Sequence, residues 1–144
     1  MLCPYCSHPE TKVTNKRDGK GFTRRRRECL KCKKRFTTYE RAEIEITVIK
    51  KDGRREPFNR EKLKLGFIKA CEKRPVPHEK IEQALDEIEE RLRRAGKEIK
   101  TEQIGKMVMQ KLKALDKVAY IRFASVYHDF QDVKDFKEEI KELE

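Results

Sequence analysis

Two Cys-x-x-Cys pairs near the start of the chain, Cys3-Pro4-Tyr5-Cys6 and Cys29-Leu30-Lys31-Cys32, limit what the first forty residues can become. Two residues between the cysteines of a pair let both sulfurs turn toward one ion. Two such knuckles complete a tetrahedral S₄ shell, which suits zinc and excludes hard cations. A rubredoxin-like iron site has similar spacing, whereas a thioredoxin-like redox pair would need a βαβ pattern around it. The expected ligands are Cys3, Cys6, Cys29 and Cys32, holding one Zn²⁺ per chain. Between the pairs the pattern reads as β. Thr11-Lys12-Val13-Thr14 is strand-like, Asp18-Gly19-Lys20-Gly21 is a turn signal, Phe22 to Glu28 is a second strand and Arg35 to Tyr39 a third. This predicts a zinc ribbon over residues 1–44. So small a core cannot hold itself together, so metal binding should be folding.

Charge points to the partner of this module. The 144-residue chain carries a formal +11, yet residues 1–42 hold 13 Lys/Arg against 4 Asp/Glu, and the rest of the chain is nearly balanced. A field of that density suits a phosphate backbone. The candidate nucleic-acid contacts are Arg17, Arg24, Arg25, Arg26, Arg27, Lys31 and Arg35. Side chains alternate across a strand, so Arg24 and Arg26 should face one way and Arg25 and Arg27 the other. One pair is then available to acids such as Glu28 or Glu40, or to a neighbouring subunit. No apolar run approaches the roughly 18 residues that span a bilayer, and no secretory signal pattern is seen. The expectation is a cytoplasmic protein with no membrane partner, nucleoid-associated when bound to DNA.

A second unit begins near residue 45. Ile44, Ile46 and Val48 alternate with Glu45, Thr47 and Ile49 as a half-buried strand; Asp52-Gly53 turns it, and Arg54 to Phe58 returns. Asn59 should cap a helix reaching about Lys73, broken by Arg74-Pro75-Val76-Pro77. A second helix is predicted from His78 to Ala95, with Ile81, Leu85, Ile88 and Leu92 inward and Gly96 as its stop. Thr101 should cap a third and Asp116 a fourth, whose aromatic stripe of Tyr120, Phe123, Tyr127 and Phe130 reads most simply as core. Cys71 reads as a small buried apolar residue. Helical spacing continues through Val133, Phe136, Ile140 and Leu143, and residues 137–144 read as a charged tail. The fold class is α+β, a small β ribbon followed by a mainly helical domain with a short hairpin. Lys50, Lys51 and Lys62 gather near a helix start, where N–H groups and the dipole also favour an anion. No Walker-type loop accompanies them, so such a corner would bind a nucleotide without splitting it, and no catalytic residues are expected.

Several segments together resemble the NrdR family of bacterial transcriptional repressors of ribonucleotide reductase genes. They are Cys3-Pro4-Tyr5-Cys6, Thr11-Lys12-Val13, Arg24 through Glu28, the second cysteine pair, Arg35-Phe36-Thr37-Thr38-Tyr39-Glu40, Arg55-Glu56-Pro57-Phe58-Asn59, Glu72-Lys73-Arg74-Pro75-Val76 and the run from Leu115 to Tyr127. The resemblance covers almost the whole chain. It implies a zinc ribbon joined to an ATP-cone over residues 45–136, with an ATP/dATP site. By similarity to other ATP-cones, Val48, Phe58, Leu63 and Ile104 would wall the adenine. Glu56 and Asn59 would sit near its edge, and Lys50, Lys51, Lys62 and Thr101 would face phosphates. Three departures stand out. Asn15-Lys16-Arg17 replaces the Asp-Ser-Arg of many members, Lys50-Lys51 replaces a Lys-Arg, and Gly105 stands where some reductase cones carry His.

The resemblance therefore implies a zinc-dependent, ATP/dATP-responsive repressor that binds a double-stranded operator as a homo-oligomer whose assembly depends on nucleotide. A regulatory nucleotide-binding module acting directly on reductase, with no DNA role, is the first alternative. RNA binding and nucleotide hydrolysis are the others.

Overall fold

The computed structural model describes residues 1–43 and 45–144, which form two compact units, Met1–Glu43 and Ile44–Glu144. Ile44, expected to open a strand, lies outside the described residues.

The first unit is a three-stranded antiparallel sheet of order β1-β2-β3, with β1 at Thr11–Gly19, β2 at Phe22–Cys29 and β3 at Arg35–Arg41. The β1 strand runs five residues beyond the expected Thr14. Asn15-Lys16-Arg17-Asp18 has little intrinsic β preference, but pairing with β2 overrides it. Thr23 Oγ1 donates to Asp18 Oδ1 at 2.8 Å, and a bulge between Val13 and Asn15 lets Thr14 Oγ1 donate to the Arg26 carbonyl at 3.2 Å. The turn tightens to Lys20-Gly21, with Gly21 at φ 82°. Gly19 leaves room for a ring: a Cβ there would stand 2.3 Å from Phe22 Cζ, so Phe22 would have to swing aside. Among the described residues, the buried apolar core of this unit is Cys3, Cys29 and Phe36, with Cys6 and Cys32 packed against it.

The second unit has a sheet of order β5-β4-β6, from β4 (Thr47–Ile49), β5 (Arg55–Pro57) and β6 (Glu98–Lys100), with five helices. The β4-β5 hairpin turns through Gly53 at φ 85°. The β6 strand, which sequence pattern does not reveal in three residues, pairs parallel to β4, Val48 opposite Ile99. A parallel neighbour needs a long crossover, and α1 (Arg60–Ala70) and α2 (His78–Ala95) supply it. Asn59 Oδ1 accepts from Lys62 N at 3.2 Å, as expected of a cap. The α1 helix ends at Ala70 rather than Lys73, because Lys73 sits at φ 58° and Pro75 disfavours a helical Arg74. Its last carbonyls are satisfied by Arg122, whose Nη1 donates to the oxygens of Ala70 and Glu72. Arg60 ties the start of α1 to Glu82, Asp86 and the buried Glu89 on α2. The α2 helix buries Ile81, Leu85, Ile88 and Leu92 and stops at Gly96, φ 112°.

Thr101, expected as the cap of the third helix, is instead the first residue of α3 (Thr101–Leu115). Because β6 runs directly into the helix, Lys100 takes the cap position and donates its N–H to Gln103 Oε1 at 3.2 Å. Asp116 caps α4 (Lys117–Tyr127), accepting from Ala119 N at 2.9 Å, and pairs with Arg74 at 2.9 Å. Arg74 and the Ala119 amide hold its carboxyl below the usual carboxylate range. A depressed folded-state pKa contributes stability above the unfolded value, and that stability is lost as pH falls through the folded value. Asp116→Ala should therefore destabilise the unit by about 1–2 kcal/mol at neutral pH. The gap from wild type should narrow as the buffer is acidified below about pH 4. Urea titration at several pH values checks both.

The α5 helix (Val133–Leu143) crosses residue 137 without a break. The segment read as a tail is docked: Leu143 packs on the core, Tyr120 Oη donates to Glu139, and Lys117 Nζ reaches the Leu143 carbonyl at 3.2 Å. Among the described residues no helix is long and apolar enough to cross a membrane.

Candidate functional site

The four cysteines come together. Their Sγ atoms all lie within 4.8 Å of one another, with Cys3–Cys32 at 3.7 Å and Cys6–Cys29 at 3.6 Å. A tetrahedron with Zn–S bonds of about 2.3 Å has sulfur edges of about 3.8 Å, so the cluster is already near that size. The two knuckles are built alike. Cys3 N donates to the His8 carbonyl and Ser7 N to the Cys3 carbonyl; Cys29 N donates to Lys34 and Lys33 N to Cys29. Ser7 (φ 61°) and Lys33 (φ 63°) make the left-handed return in each. Amide N–H groups point at sulfur: Tyr5 N to Cys3 at 3.4 Å, Lys31 N to Cys29 at 3.4 Å and Cys32 N to Cys29 at 3.5 Å. Burial alone would raise the Cys29 thiol, but the Cys32 and Lys31 amides overcome it and pull it down to about 6. An all-sulfur donor set of this shape fits Zn²⁺.

The sheet register sorts the arginines. Arg24 lies opposite Arg17 and Tyr39, and Arg26 opposite Asn15 and Thr37, so these side chains share one face with Phe22 and Arg41. Arg25 and Arg27 occupy the other face. Arg25 pairs with Glu40 at 3.5 Å, and Arg27 donates to Thr38 at 3.1 Å and Thr11 at 3.5 Å. On the first face Arg26 donates to Thr37 at 2.9 Å. Arg35 and Lys12 share Glu28, at 3.1 and 3.2 Å. Arg17 and Arg24 have no side-chain partner among the described residues. Lys31 is exposed on the second knuckle, away from the strands. Sequence reading missed three members of this face: the Arg41 guanidinium lies 5.0 Å from the Phe22 ring and 5.8 Å from Tyr39. The signal was the alternation of those aromatics with arginine along β2 and β3.

A pocket of about 160 Å³ opens in the second unit. It is lined by Lys62, Leu63 and Gly66 of α1, by Thr101, Ile104, Gly105 and Val108 of α3, and by Phe123 and Tyr127 of α4. Four of the ten expected nucleotide residues, Lys62, Leu63, Thr101 and Ile104, are in its wall. Glu56 stands beside it, 3.5 Å from Lys62 Nζ and 3.7 Å from Lys50 Nζ. Lys51 Nζ lies 5.6 Å from the Tyr127 ring. Phe58 packs against the core, Val48 is buried in β4, and Asn59 is engaged as the α1 cap. Five lining residues were not anticipated as site residues: Gly66, Gly105, Val108, Phe123 and Tyr127. A glycine inside a helix is a signal of close packing, and here both face α4 aromatics. A Cβ at Gly66 would be 3.9 Å from Phe123, and one at Gly105 would be 2.2 Å from Tyr127. Tyr127 Oη donates to the Glu102 carbonyl at 3.0 Å, fixing the ring over Gly105.

The pocket is small beside the roughly 300–1,000 Å³ of sites that enclose whole ligands. It suits one ring, with anionic groups left at the lysine-rich rim by the N-terminus of α1. Charge-assisted hydrogen bonds are worth about 1.5–3 kcal/mol. Lys62→Ala should therefore weaken nucleotide binding by about ten- to a hundredfold without changing helical content. Titration calorimetry beside circular dichroism measures this, and unchanged affinity would remove Lys62 from the site.

Comparison with known proteins follows the same division. Residues 1–40 match the family model described as the N-terminal domain of transcriptional repressor NrdR-like proteins, and residues 46–133 match the ATP cone domain. Proteins named transcriptional repressor NrdR are similar over nearly the full length. One from a Thermoanaerobacter species is 54% identical, covering 99% of this chain and 93% of that protein. One from Petrotoga mobilis is 55% identical (99% and 98%), and one from Thermotoga neapolitana is 55% identical (99% and 94%). With a zinc ribbon, an ATP-cone and that similarity end to end, the chain belongs to the NrdR family, whose members are named as repressors and not as enzymes.

Proposed function

We propose that this chain is a zinc-dependent, ATP/dATP-responsive DNA-binding repressor of ribonucleotide reductase genes, acting as a homo-oligomer whose assembly the bound nucleotide sets. The observation that carries the reading is the division of labour within one chain. A ribbon face presents Arg17 and Arg24 without acidic partners among the described residues, and a separate unit presents a ring-sized pocket with lysines at its rim.

Each part has a physical role. Zinc, held by Cys3, Cys6, Cys29 and Cys32, supplies a fixed node from which the three strands hang. On the sheet face Arg17, Arg24 and Arg26 contact the duplex; Arg can neutralise phosphate or fork to guanine in the major groove. Arg25 and Arg27 stiffen the sheet from behind through Glu40, Thr38 and Thr11. In the cone, Leu63, Ile104 and Phe123 take the base, while Lys50, Lys51 and Lys62 take the phosphates and draw away from Glu56. Nucleotide can alter operator binding only if it binds two assemblies with different affinity. The assembly that spaces ribbons to match operator half-sites then binds DNA. Repression at high dATP would lower reductase synthesis when deoxynucleotides are plentiful.

In vitro transcription from a ribonucleotide reductase promoter tests the reading. Transcript should fall on adding zinc-loaded protein with dATP and recover when dATP is replaced by ATP. Transcript insensitive to the protein in either nucleotide, with reductase activity itself altered, would favour a module acting directly on the enzyme.

A further inference from the structure

We propose that the four-cysteine cluster is also a site of reversible oxidation, where hydrogen peroxide joins Cys6 and Cys29 in a disulfide across the two knuckles and so releases the metal. The proposal goes beyond nucleotide control and rests on the reading that Cys3, Cys6, Cys29 and Cys32 hold Zn²⁺.

The four sulfurs are not equivalent. Cys3 and Cys29 are 2% and 0% exposed, whereas Cys6 and Cys32 are half-buried. Each knuckle therefore shows one cysteine to solvent and hides the other. The backbone adds a second difference. The Tyr5 amide is directed at Cys3, the Lys31 and Cys32 amides at Cys29, and the Lys34 amide at Cys32. Among the described residues no amide is directed at Cys6. An N–H bond to a thiolate draws charge from the sulfur and blunts it as a nucleophile. Cys6 is thus the sulfur that is both reachable and unblunted. Lys34 Nζ stands 5.0 Å from the ring of Tyr5, the residue before Cys6. A partly exposed thiolate in positive surroundings is the reactive kind.

The resolving partner is already in place. Cys6 Sγ lies 3.6 Å from Cys29 Sγ on the other knuckle. A disulfide of about 2.05 Å needs the two to close by about 1.6 Å. The Cys6 thiolate attacks one peroxide oxygen: the O–O bond breaks, an S–O bond forms and hydroxide leaves, giving the sulfenic acid. The Cys29 thiolate then attacks the Cys6 sulfur: the S–S bond forms, the S–O bond breaks and a second hydroxide leaves. The two sulfurs lose two electrons and the peroxide gains them; the buffer protonates both hydroxides to water. Because Cys29 is so near, Cys6 is captured at the reversible rung and does not go on to sulfinic acid.

Only Cys3 and Cys32 then remain as ligands, and two thiolates do not complete a tetrahedral shell. The ribbon loses the metal on which its fold depends, and operator binding goes with it. A dithiol reverses the change by exchange. Cys71 is 7% exposed and belongs to the second unit, so it takes no part.

The test is hydrogen peroxide titration of the full, zinc-loaded chain. Zinc release is read with a chromogenic chelator, pairing by non-reducing peptide mapping in a mass spectrometer, and duplex affinity by anisotropy. Zinc should leave in step with a Cys6–Cys29 disulfide, and duplex affinity should fall at least about tenfold. Dithiothreitol with added Zn²⁺ should restore both. Cys6→His offers zinc a fourth ligand without the nucleophile, and should release its zinc at least about tenfold more slowly. The wild-type peptide map decides the pairing even if that variant takes up no metal. Cys71→Ser should behave as wild type. Zinc retained at peroxide concentrations that oxidise free glutathione overturns the proposal. So does any other pairing among the four cysteines, zinc release with no disulfide, or release abolished by Cys71→Ser. A chain that folds its ribbon without zinc overturns the zinc reading itself, whereas one that binds zinc and resists peroxide overturns only this proposal.

Discussion

Removing zinc should unfold residues 1–43 and abolish tight DNA binding while leaving the helical unit intact. The first unit has no larger buried apolar core among the described residues: that core is Cys3, Cys29 and Phe36, and two of those three belong to the cysteine cluster expected to hold the metal. Apparent zinc affinities of structural sites correspond to about 10–16 kcal/mol at neutral pH, more than the whole stability of most small domains. Without a cation the cluster holds its protons unevenly: against the pull of the Lys34 amide, burial and hydrogen bonding with Cys6, Cys29 and Cys3 push Cys32 up to about 11, while Cys29 falls. Chelation, or Cys29→Ser, should lower duplex affinity by at least about a hundredfold in roughly 0.15 M salt, leaving only weak, salt-sensitive binding by an unfolded basic segment. The far-UV helical signal should persist, because the cone has its own core of Phe67, Leu85, Ile88, Leu92 and Leu112. Chelated protein that still binds with unchanged affinity, or that loses its helices together with its ribbon, would contradict this.

The second large effect is expected on one face of the ribbon sheet only. Arg17→Ala and Arg24→Ala should each weaken operator binding by about 1–3 kcal/mol, roughly five- to a hundredfold. If an arginine meets phosphate, the slope of log affinity against log salt should flatten by about 0.9 for each phosphate no longer neutralised. If it meets a base, discrimination between sequences should fall and the slope should hold. Arg25→Ala should behave differently. It removes a surface pair with Glu40 at 3.5 Å, worth about 0–1 kcal/mol of stability, and should change DNA affinity little. Fluorescence anisotropy over a salt series separates these outcomes, and equal losses at positions 24 and 25 would refute the division of the two faces.

Much of this was legible in sequence because it depends on local rules. Cysteine spacing gives the knuckles, strand alternation divides the four arginines, and Asn59, Gly96 and Asp116 punctuate the helices as their capping chemistry requires. What was not legible depends on partners distant in the chain. The β1 strand extends to Gly19 only because β2 lies beside it, and Glu98-Ile99-Lys100 becomes a strand only because Val48 is waiting for it. That strand in turn moves the α3 cap from Thr101 to Lys100. The pocket was half visible. Lys62 came from the lysines gathered at a helix start and Leu63, Thr101 and Ile104 from resemblance, but Phe123 and Tyr127 read as core until the small residues opposite them, Gly66 and Gly105, were placed. Helical spacing through Leu143 was visible in the terminal segment, but its high charge gave no sign that α5 runs unbroken across residue 137 or that Leu143 packs on the core.

The central claim is that occupancy of the cone pocket governs how the ribbon meets DNA. The most direct test is anisotropy of a reductase-promoter duplex with full, zinc-loaded chain, nucleotide-free, with dATP or with ATP, for wild type and Lys62→Ala. Wild-type affinity should differ at least about tenfold between nucleotide states, the effect of a coupling near 1.4 kcal/mol. In Lys62→Ala that difference should collapse at nucleotide concentrations that saturate wild type, with zinc content unchanged. Identical wild-type affinity in all three states would contradict the account.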